Sequence, residues 1–394
     1  MNILMHGALG LTWLQAFLLL LGLTHITILT VTLYLHRSCA HRAVDFPQWL
    51  TLFFRFWAWL TTGMTARQWA SVHRKHHAKC ETKEDPHSPQ QKGLAVVLFK
   101  GVSLYRDAAR DPEVVKRYGA GTPHDRLEDF FEKYAWLGMI IMILAELPLL
   151  GLPQTIVVAT LQLLWIPFWA AGVINGIGHF WGYRNHESDD ASRNIFPWAI
   201  FIGGEELHNN HHAFPSSAKL SFKKWEFDWG WAVLCGLSFF GLANVKRTVP
   251  RVTTHGSAEI TPDTLRALAT CRFQAMKEAR RLLTPVILQQ LSGLQMSRSF
   301  SRKSFMSWFF FDYQTRIKSK KTHAEFQQIL AQAPILARLR NTLAELTDTW
   351  RKVHLNAQET LDHFKAWCQT AESSGVEALS NLAATLRTYR LAHA

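Results

Sequence analysis

Residues 1–35 constrain the fold most strongly, because they contain no Lys, Arg, Asp or Glu. Residues 8–35 are nearly all apolar, and about 20 such residues suffice for a helix to cross a bilayer. A secretory signal peptide would start with basic residues and end at a small-residue cleavage site, and neither feature is present. We therefore predict one long transmembrane helix that ends at His36 and Arg37. Positive flanks stay in the cytoplasm, so Arg37 is predicted to lie on that side.

Two further segments, 134–152 and 154–176, are strongly apolar and are separated by a Gly-Leu-Pro turn. They are typical of a transmembrane hairpin. Segment 47–64 is shorter and has Arg55 at its centre, which favours an in-plane helix at the membrane surface. The predicted fold is all-α and polytopic, with about three to four transmembrane helices, in-plane helices and a cytoplasmic His-rich region.

The net charge of +13 is not evenly spread. Residues from Lys246 onward carry 22 Lys+Arg against 11 Asp+Glu, and 262–291, 324–350 and 358–389 have helical spacing. We predict a membrane domain over 1–245 and a basic, helical cytoplasmic extension over 246–394. This extension has no aromatic–basic module of the nucleic-acid-binding kind, so no nucleic-acid partner is expected.

The five Cys form no C-x-x-C pair, which argues against an iron–sulfur cluster or a zinc knuckle.

The chain has 19 His, and eight of them form three tight groups, each beside an apolar segment. One group has the spacing H-x4-H and the other two have H-x2-H-H. Ionisable groups at such places are costly and tend to be functional. A weaker element, N-G-I-G-H, follows the predicted hairpin. In chain order the groups are His36 and His41; His73, His76 and His77; Asn175 with His179; and His208, His211 and His212.

The spacing of these groups indicates a two-metal site. Residues three and four apart share one face of a helix, so His73 can point to the same place as His76 or His77. Adjacent residues diverge by about 100° at 3.6 residues per turn, so His76 and His77 can reach two centres. Imidazole suits iron, copper, nickel and zinc, and the sequence alone does not choose among them. Many nitrogen ligands with high coordination numbers fit iron that performs oxygen chemistry.

The sequence motifs around these histidines resemble those of the membrane Δ9 fatty acyl desaturases, over roughly residues 24–240. The third group begins with His rather than with the Gln of front-end desaturases. The matching motifs are HRSCAHR from His36, WASVHRKHH from Trp69, DPHS from Asp85, GYR from Gly182 and GEELHNNHH from Gly204.

The resemblance implies a di-iron oxidoreductase that uses O2 to insert a cis double bond, at Δ9, into a saturated acyl chain. It implies a long-chain acyl-CoA as the favoured substrate, with phospholipid acyl chains as the alternative. Two electrons per turnover would come from a separate reductase or ferredoxin-type donor. Asn175 would hold a metal-bound water, and the implied iron ligands are His36, His41, His73, His76, His77, His179, His208, His211 and His212.

The chain also departs from animal members of that family. Only about 35 residues precede the first histidine group, so one early membrane helix is expected to be missing or very short. The region after Lys246 has no recognised counterpart. No His-Pro-Gly-Gly occurs, so no fused cytochrome b5 is expected. We predict a multi-pass protein of the cell inner membrane, with its histidine groups and its C-terminus in the cytoplasm.

A narrow apolar tunnel is expected beside the metals, with Phe53, Phe54, Trp57 and Trp165 as candidate wall residues. Metal-bound His usually donate their second ring N–H to a carboxylate or a carbonyl, and the candidate acceptors are Asp85, Glu205 and Glu206. Two other functions stay open: a hydroxylase on the same di-iron scaffold, and a metal-binding membrane sensor without catalysis.

Overall fold

The structure is a computed structural model that describes residues 3–186, 188–250, 252–254, 259–294, 300–310, 320–352 and 357–392. The chain divides into two compact units. The first comprises Met1–His186 and Asp190–Val249, and the second comprises Glu187–Asp189 and Pro250–Ala394. The prediction of an all-α fold with membrane helices is confirmed, since the described strands are all two or three residues long.

The apolar N-terminal segment forms one long helix, Trp13–Ala40, that can span a membrane by its length and composition. Thr12 and Gln15 form a capping box that satisfies the first backbone N–H groups. The helix is α-helical over Trp13–Leu29 and continues as a π-helix over Thr30–Ala40. π segments are frequent at functional sites, and this one carries the first histidine group.

The predicted hairpin is also present. Helix Ala135–Leu150 turns at Gly151, whose φ of 76° suits a residue without a side chain, and the chain returns as Leu152–Ile177. The last part of the return helix, Pro167–Ile177, is a second π-helix. Among the described residues, two helices are long and apolar enough to span a membrane. A third candidate span arises if Arg126–Lys133 and Ala135–Leu150, bent by 77°, count as one.

The segment with the central Arg55 forms helix Gln48–Thr62, which is not among the candidate spans. Arg55 is 7% exposed and binds two carboxylates at the start of helix Arg126–Lys133. Its guanidinium lies 2.6 Å from Asp125 Oδ1 and 3.1 Å from Glu128 Oε2. The hydrogen bond from Arg55 lowers the pKa of Asp125 to about 2. The buried charge is therefore paired within the protein.

The remaining elements of the first unit are short. Trp198–Ala199 pairs in parallel with Phe227–Asp228, and Val44–Asp45 pairs antiparallel with Asn244–Val245. The other helices are Ile3–His6, Ala66–Lys79, Pro89–Lys92, Leu94–Ala109, Pro112–Tyr118, His208–Ala213 and Trp229–Phe239.

The second unit has its own apolar core. Leu283, Trp308, Phe309 and Phe364 are among its fully buried side chains. Each predicted helical stretch of this unit is broken into two helices, at Cys271, at Ala333 before Pro334 and at Gly375. Strands Val252–Thr254 and Tyr389–Leu391 pair antiparallel. The helices are Pro262–Thr270, Arg272–Ser292, Arg302–Phe310, Lys320–Gln332, Pro334–Lys352, Ala357–Ser373 and Glu377–Arg387.

Candidate metal centre

The first histidine group depends on the π-helix that carries it. The backbone N–H of His41 donates to the carbonyl oxygen of His36 at 3.1 Å, which is the i→i+5 hydrogen bond of a π-helix. Residues five apart therefore lie about one turn apart. The rings of His36 and His41 meet with centroids 4.8 Å apart. The H-x4-H spacing thus matches the local helix type.

The second group lies on helix Ala66–Lys79, as its spacing predicts. His73 and His77 share one face, and their Nε2 atoms are 3.1 Å apart. His76 points elsewhere, and its Nε2 lies 3.2 Å from that of His179. His179 follows the second π-helix directly and is fully buried.

The third group occupies the six-residue helix His208–Ala213, in which every residue is buried. His211 and His212 are adjacent in sequence, so their rings point in different directions. His211 Nε2 lies 3.0 Å from His36 Nε2 and 2.8 Å from His77 Nε2. The ring of His212 instead lies 4.7 Å from that of His179.

The structure thus brings all nine predicted histidines together and sorts them into two groups. Four ligand atoms in each group lie within 4.8 Å of one another. They belong to His36, His41, His73 and His211 in one group, and to His76, His179, His208 and His212 in the other. His77 adds to the first quartet through its contacts with His73 and His211. The splitting of adjacent histidines between two centres agrees with the spacing argument. Group A is His36, His41, His73, His77 and His211, and group B is His76, His179, His208 and His212.

The geometry of both groups fits metal ions. Nitrogen ligands at about 2.0–2.1 Å from a metal, at right angles to one another, are about 2.9 Å apart. Nε2 atoms are 2.8 Å apart for His41 and His73 in group A, and 2.9 Å apart for His179 and His208 in group B. His212 Nε2 is buried without a hydrogen-bond partner in the described chain. An imidazole nitrogen in that position needs a partner, and a metal ion would supply one.

Four carboxylates face the second ring nitrogens of these histidines, as expected for metal-bound imidazoles. Two of them, Glu205 and Asp85, were predicted from the sequence. The Nδ1 distances to the carboxylates are 2.7 Å for His36 and Glu205, 3.0 Å for His76 and Asp85, 3.0 Å for His179 and Glu81, and 2.8 Å for His212 and Asp190.

The third predicted acceptor, Glu206, does not have this role. Its carboxylate accepts hydrogen bonds from the backbone N–H groups of Ile202 and Gly204. Sequence reasoning missed Glu81 and Asp190. Glu81 follows the second histidine group by four residues, and that proximity was an available signal. Asp190 lies 22 residues before His212, and no pattern in the sequence connects them.

The protonation state of these carboxylates follows from their contacts with the histidines. Burial would raise the pKa of Glu81, but the hydrogen bond with His179 Nδ1 holds it below the usual value. His76 similarly outweighs burial and lowers the pKa of Asp85. The carboxylates are therefore anionic and fix the Nδ1–H tautomer, which leaves Nε2 free to bind a metal.

A cavity of about 780 Å³ opens beside the two groups. His36 and His73 of group A and His208 of group B lie on its wall, together with Asn175. Most of the other lining residues are apolar. The exposed cations at its border are Arg106, Arg110 and Lys133.

The predicted tunnel walls were wrong. Phe53, Phe54, Trp57 and Trp165 do not line this cavity. Phe54 is buried and stacks on Tyr34, whereas Trp165 donates to the carbonyl oxygen of Phe201. The aromatic lining comes instead from Trp69, Tyr105 and Trp136. Aromatic content predicts burial in general, but it does not tell which helix face borders an internal cavity.

Comparison with known proteins gives one family. The family model for fatty acid desaturases matches residues 11–243. The chain is 31% identical to a probable chloroplastic lipid desaturase of Arabidopsis thaliana over 247 residues, which are 59% of this chain and 64% of that protein. It is 30% identical over 228 residues to an sn-1 stearoyl-lipid 9-desaturase of Synechocystis, covering 58% of this chain and 70% of that one. An sn-2 palmitoyl-lipid 9-desaturase of Nostoc is 32% identical over 230 residues, covering 56% and 78%.

Proposed function

Because this chain belongs to the fatty acid desaturase family, we propose that it inserts a cis double bond at Δ9 into a saturated acyl chain of a membrane lipid. In the overall reaction the acyl chain gives up two hydrogen atoms from neighbouring methylenes. O2 takes up these two hydrogens together with two electrons and two protons, and leaves as two molecules of water. The electrons come from a separate reductase or ferredoxin-type protein.

The observation that supports this proposal best is the position of the cavity. One continuous space borders ligands of both histidine groups and is otherwise largely apolar. An acyl chain in this space would lie beside both centres along its length. A hydrolytic metal site would not need such a deep apolar space, and the sequence has no H-E-x-x-H motif with a Glu base.

We assign the nine histidines to two iron ions, and Asn175 to a water bound at one of them. When bound, iron supplies the reduction of O2 that is needed to break unactivated C–H bonds, which no acid–base side chain can do. The chain itself holds the imidazoles in place through Glu81, Asp85, Asp190 and Glu205. Its cavity walls orient the acyl chain and exclude bulk water, and such positioning can contribute several kcal/mol, up to about 7–11, to lowering the barrier.

The head group is the finer part of the proposal. The relatives named above are lipid desaturases, which favours a glycerolipid. Arg106, Arg110 and Lys133 border the cavity, and cations of this kind favour an anionic head group. Acyl-CoA carries phosphates too and is the alternative substrate.

We place the protein in the cell inner membrane, with the histidine groups on the cytoplasmic side. The candidate spans support a membrane location. The absence of charge before His36, followed at once by Arg37, supports the orientation.

The test is expression of the full chain in a bacterium that lacks Δ9 desaturation. New cis double bonds are then mapped by mass spectrometry in phospholipids and in acyl-CoA separately. We expect Δ9 products that appear first in the phospholipid fraction. Products that appear first in acyl-CoA would overturn the choice of head group. Hydroxylated chains would favour the hydroxylase, and metal binding without lipid oxidation would favour the sensor.

A further inference from the structure

The cavity has a polar end inside the membrane hairpin. Along the return helix Leu152–Ile177 its lining residues recur at helical spacing, from Asn175 beside the histidines to Gln162. At 1.5 Å per residue, Gln162 lies at most roughly 20 Å from Asn175 along the axis. One turn further, Val158 is buried in a packed cluster with Leu20 and Leu150. The cavity therefore ends at Gln162.

Gln162 is held in place by a carboxylate behind it. Its Nε2 donates to Glu146 Oε1 at 2.6 Å, and the two side chains are 5% and 8% exposed. Glu146 Oε2 is buried and has no hydrogen-bond partner in the described part of the chain. An acidic residue within an apolar membrane helix is costly, and such residues tend to be functional.

This pairing makes Gln162 a rigid barrier. If the Gln162 side chain swung away, Glu146 would have neither oxygen bonded in apolar surroundings, and an unsatisfied buried acceptor is strongly disfavoured. A flexible apolar residue such as Met139, which also lines the cavity, could instead give way to a longer chain.

We infer that Gln162, positioned by Glu146, is the stop that sets the longest acyl chain this protein accepts. The inference rests on the proposed desaturase function. The methyl end of the acyl chain lies against Gln162, and the reacting carbons lie toward Asn175 and the histidines.

The experiment measures product chain length in cells that express the full chain and are fed saturated fatty acids of increasing length. In Gln162→Ala, room for about two more methylenes should raise the ratio of longer to shorter monounsaturated products about tenfold. Glu146→Leu should shift the ratio in the same direction but less, because Gln162 loses its acceptor. Glu146→Gln keeps an acceptor oxygen and should restore the wild-type profile.

Leu164→Ala is the matched control, because Leu164 lies on the same helix, is 56% exposed and does not line the cavity. If Gln162→Ala fails to accumulate, Gln162→Asn keeps the amide, shortens the side chain and should shift the ratio in the same direction. An active wild type with the same length profile in the Gln162 variants and in Leu164→Ala would overturn the inference. Variants that shift the position of the double bond but leave the product chain length unchanged would also overturn the inference. In that case the carboxyl end of the acyl chain, and not its methyl end, would face Gln162. A wild type without any double-bond formation would instead contradict the proposed function.

Discussion

At the residue scale, the site depends on pairs of neighbouring histidines that point to different places. His76 and His77 lie one residue apart on a helix, and their rings join different groups. This could be derived from the sequence, because 3.6 residues per turn fix the angle between them. The role of the π-helix could not, since neither His36 nor His41 reveals which helical hydrogen bonds the backbone makes.

Glu81 is the residue whose role is tested most simply. Its carboxylate accepts from His179 Nδ1 and also from the hydroxyl of Ser88. The negative charge of Glu81 orients the imidazole of His179 and makes that imidazole a better metal ligand. Glu81→Gln removes this charge. We expect metal affinity to fall about 10–100-fold. The measurement is retention of metal by the detergent-purified protein against a chelator of known affinity.

Glu84→Gln is the control for this variant. Glu84 lies in the same loop but is exposed and pairs with Lys79 at the surface. Its replacement should leave metal retention unchanged. Equal metal loss from both variants, or from neither, would show that Glu81 does not support the centre.

At the element scale, hydropathy and charge predicted the candidate spans but not the contacts that the helices make with one another. The segment around Arg55 was expected to lie in the membrane plane because a charge sits at its centre. In the structure, Arg55 is buried and its partners come from about 70 residues later in the chain. Pairings at such separations leave no local pattern. For the same reason the cavity walls could not be predicted.

The Arg55 contacts make a prediction about stability. Arg55→Met would leave Glu128, 1% exposed, without its guanidinium partner. Removing one member of a buried ion pair costs about 3–5 kcal/mol. The free energy of unfolding in detergent should fall by this amount, as followed by tryptophan fluorescence.

The double variant Arg55→Met with Glu128→Gln should recover part of the loss, because no unpaired charge remains. Arg126→Ala, at an exposed position of the same helix as Glu128, should stay within about 0.5 kcal/mol of wild type. A single Arg55→Met variant as stable as Arg126→Ala would rule out this role of the ion pair.

At the scale of the whole molecule, the two units differ in charge and content. The first unit contains every predicted metal ligand and every candidate span. The region from Lys246 onward carries twice as many basic as acidic residues, and the second unit has its own core. The sequence predicted its helices but not their breaks. Pro334 and Gly375 mark two of these breaks, whereas helical periodicity continues across Cys271 without a Pro or Gly. The excess of basic residues suggests a hypothesis for this unit, a docking surface for anionic phospholipid, CoA phosphates or an acidic redox partner.

We propose that nine histidines hold two iron ions in one site. The most direct measurement is the iron content per chain of the purified protein, together with that of His76→Ala from group B and His211→Ala from group A. His25→Ala is the control, because His25 packs edge-on against Trp229, away from both groups. We predict two irons per chain in the wild type and in His25→Ala, and loss of iron and of double-bond formation in the other two variants with membrane insertion intact. Full iron content and full desaturation in His76→Ala or His211→Ala would show that these histidines do not hold the iron ions.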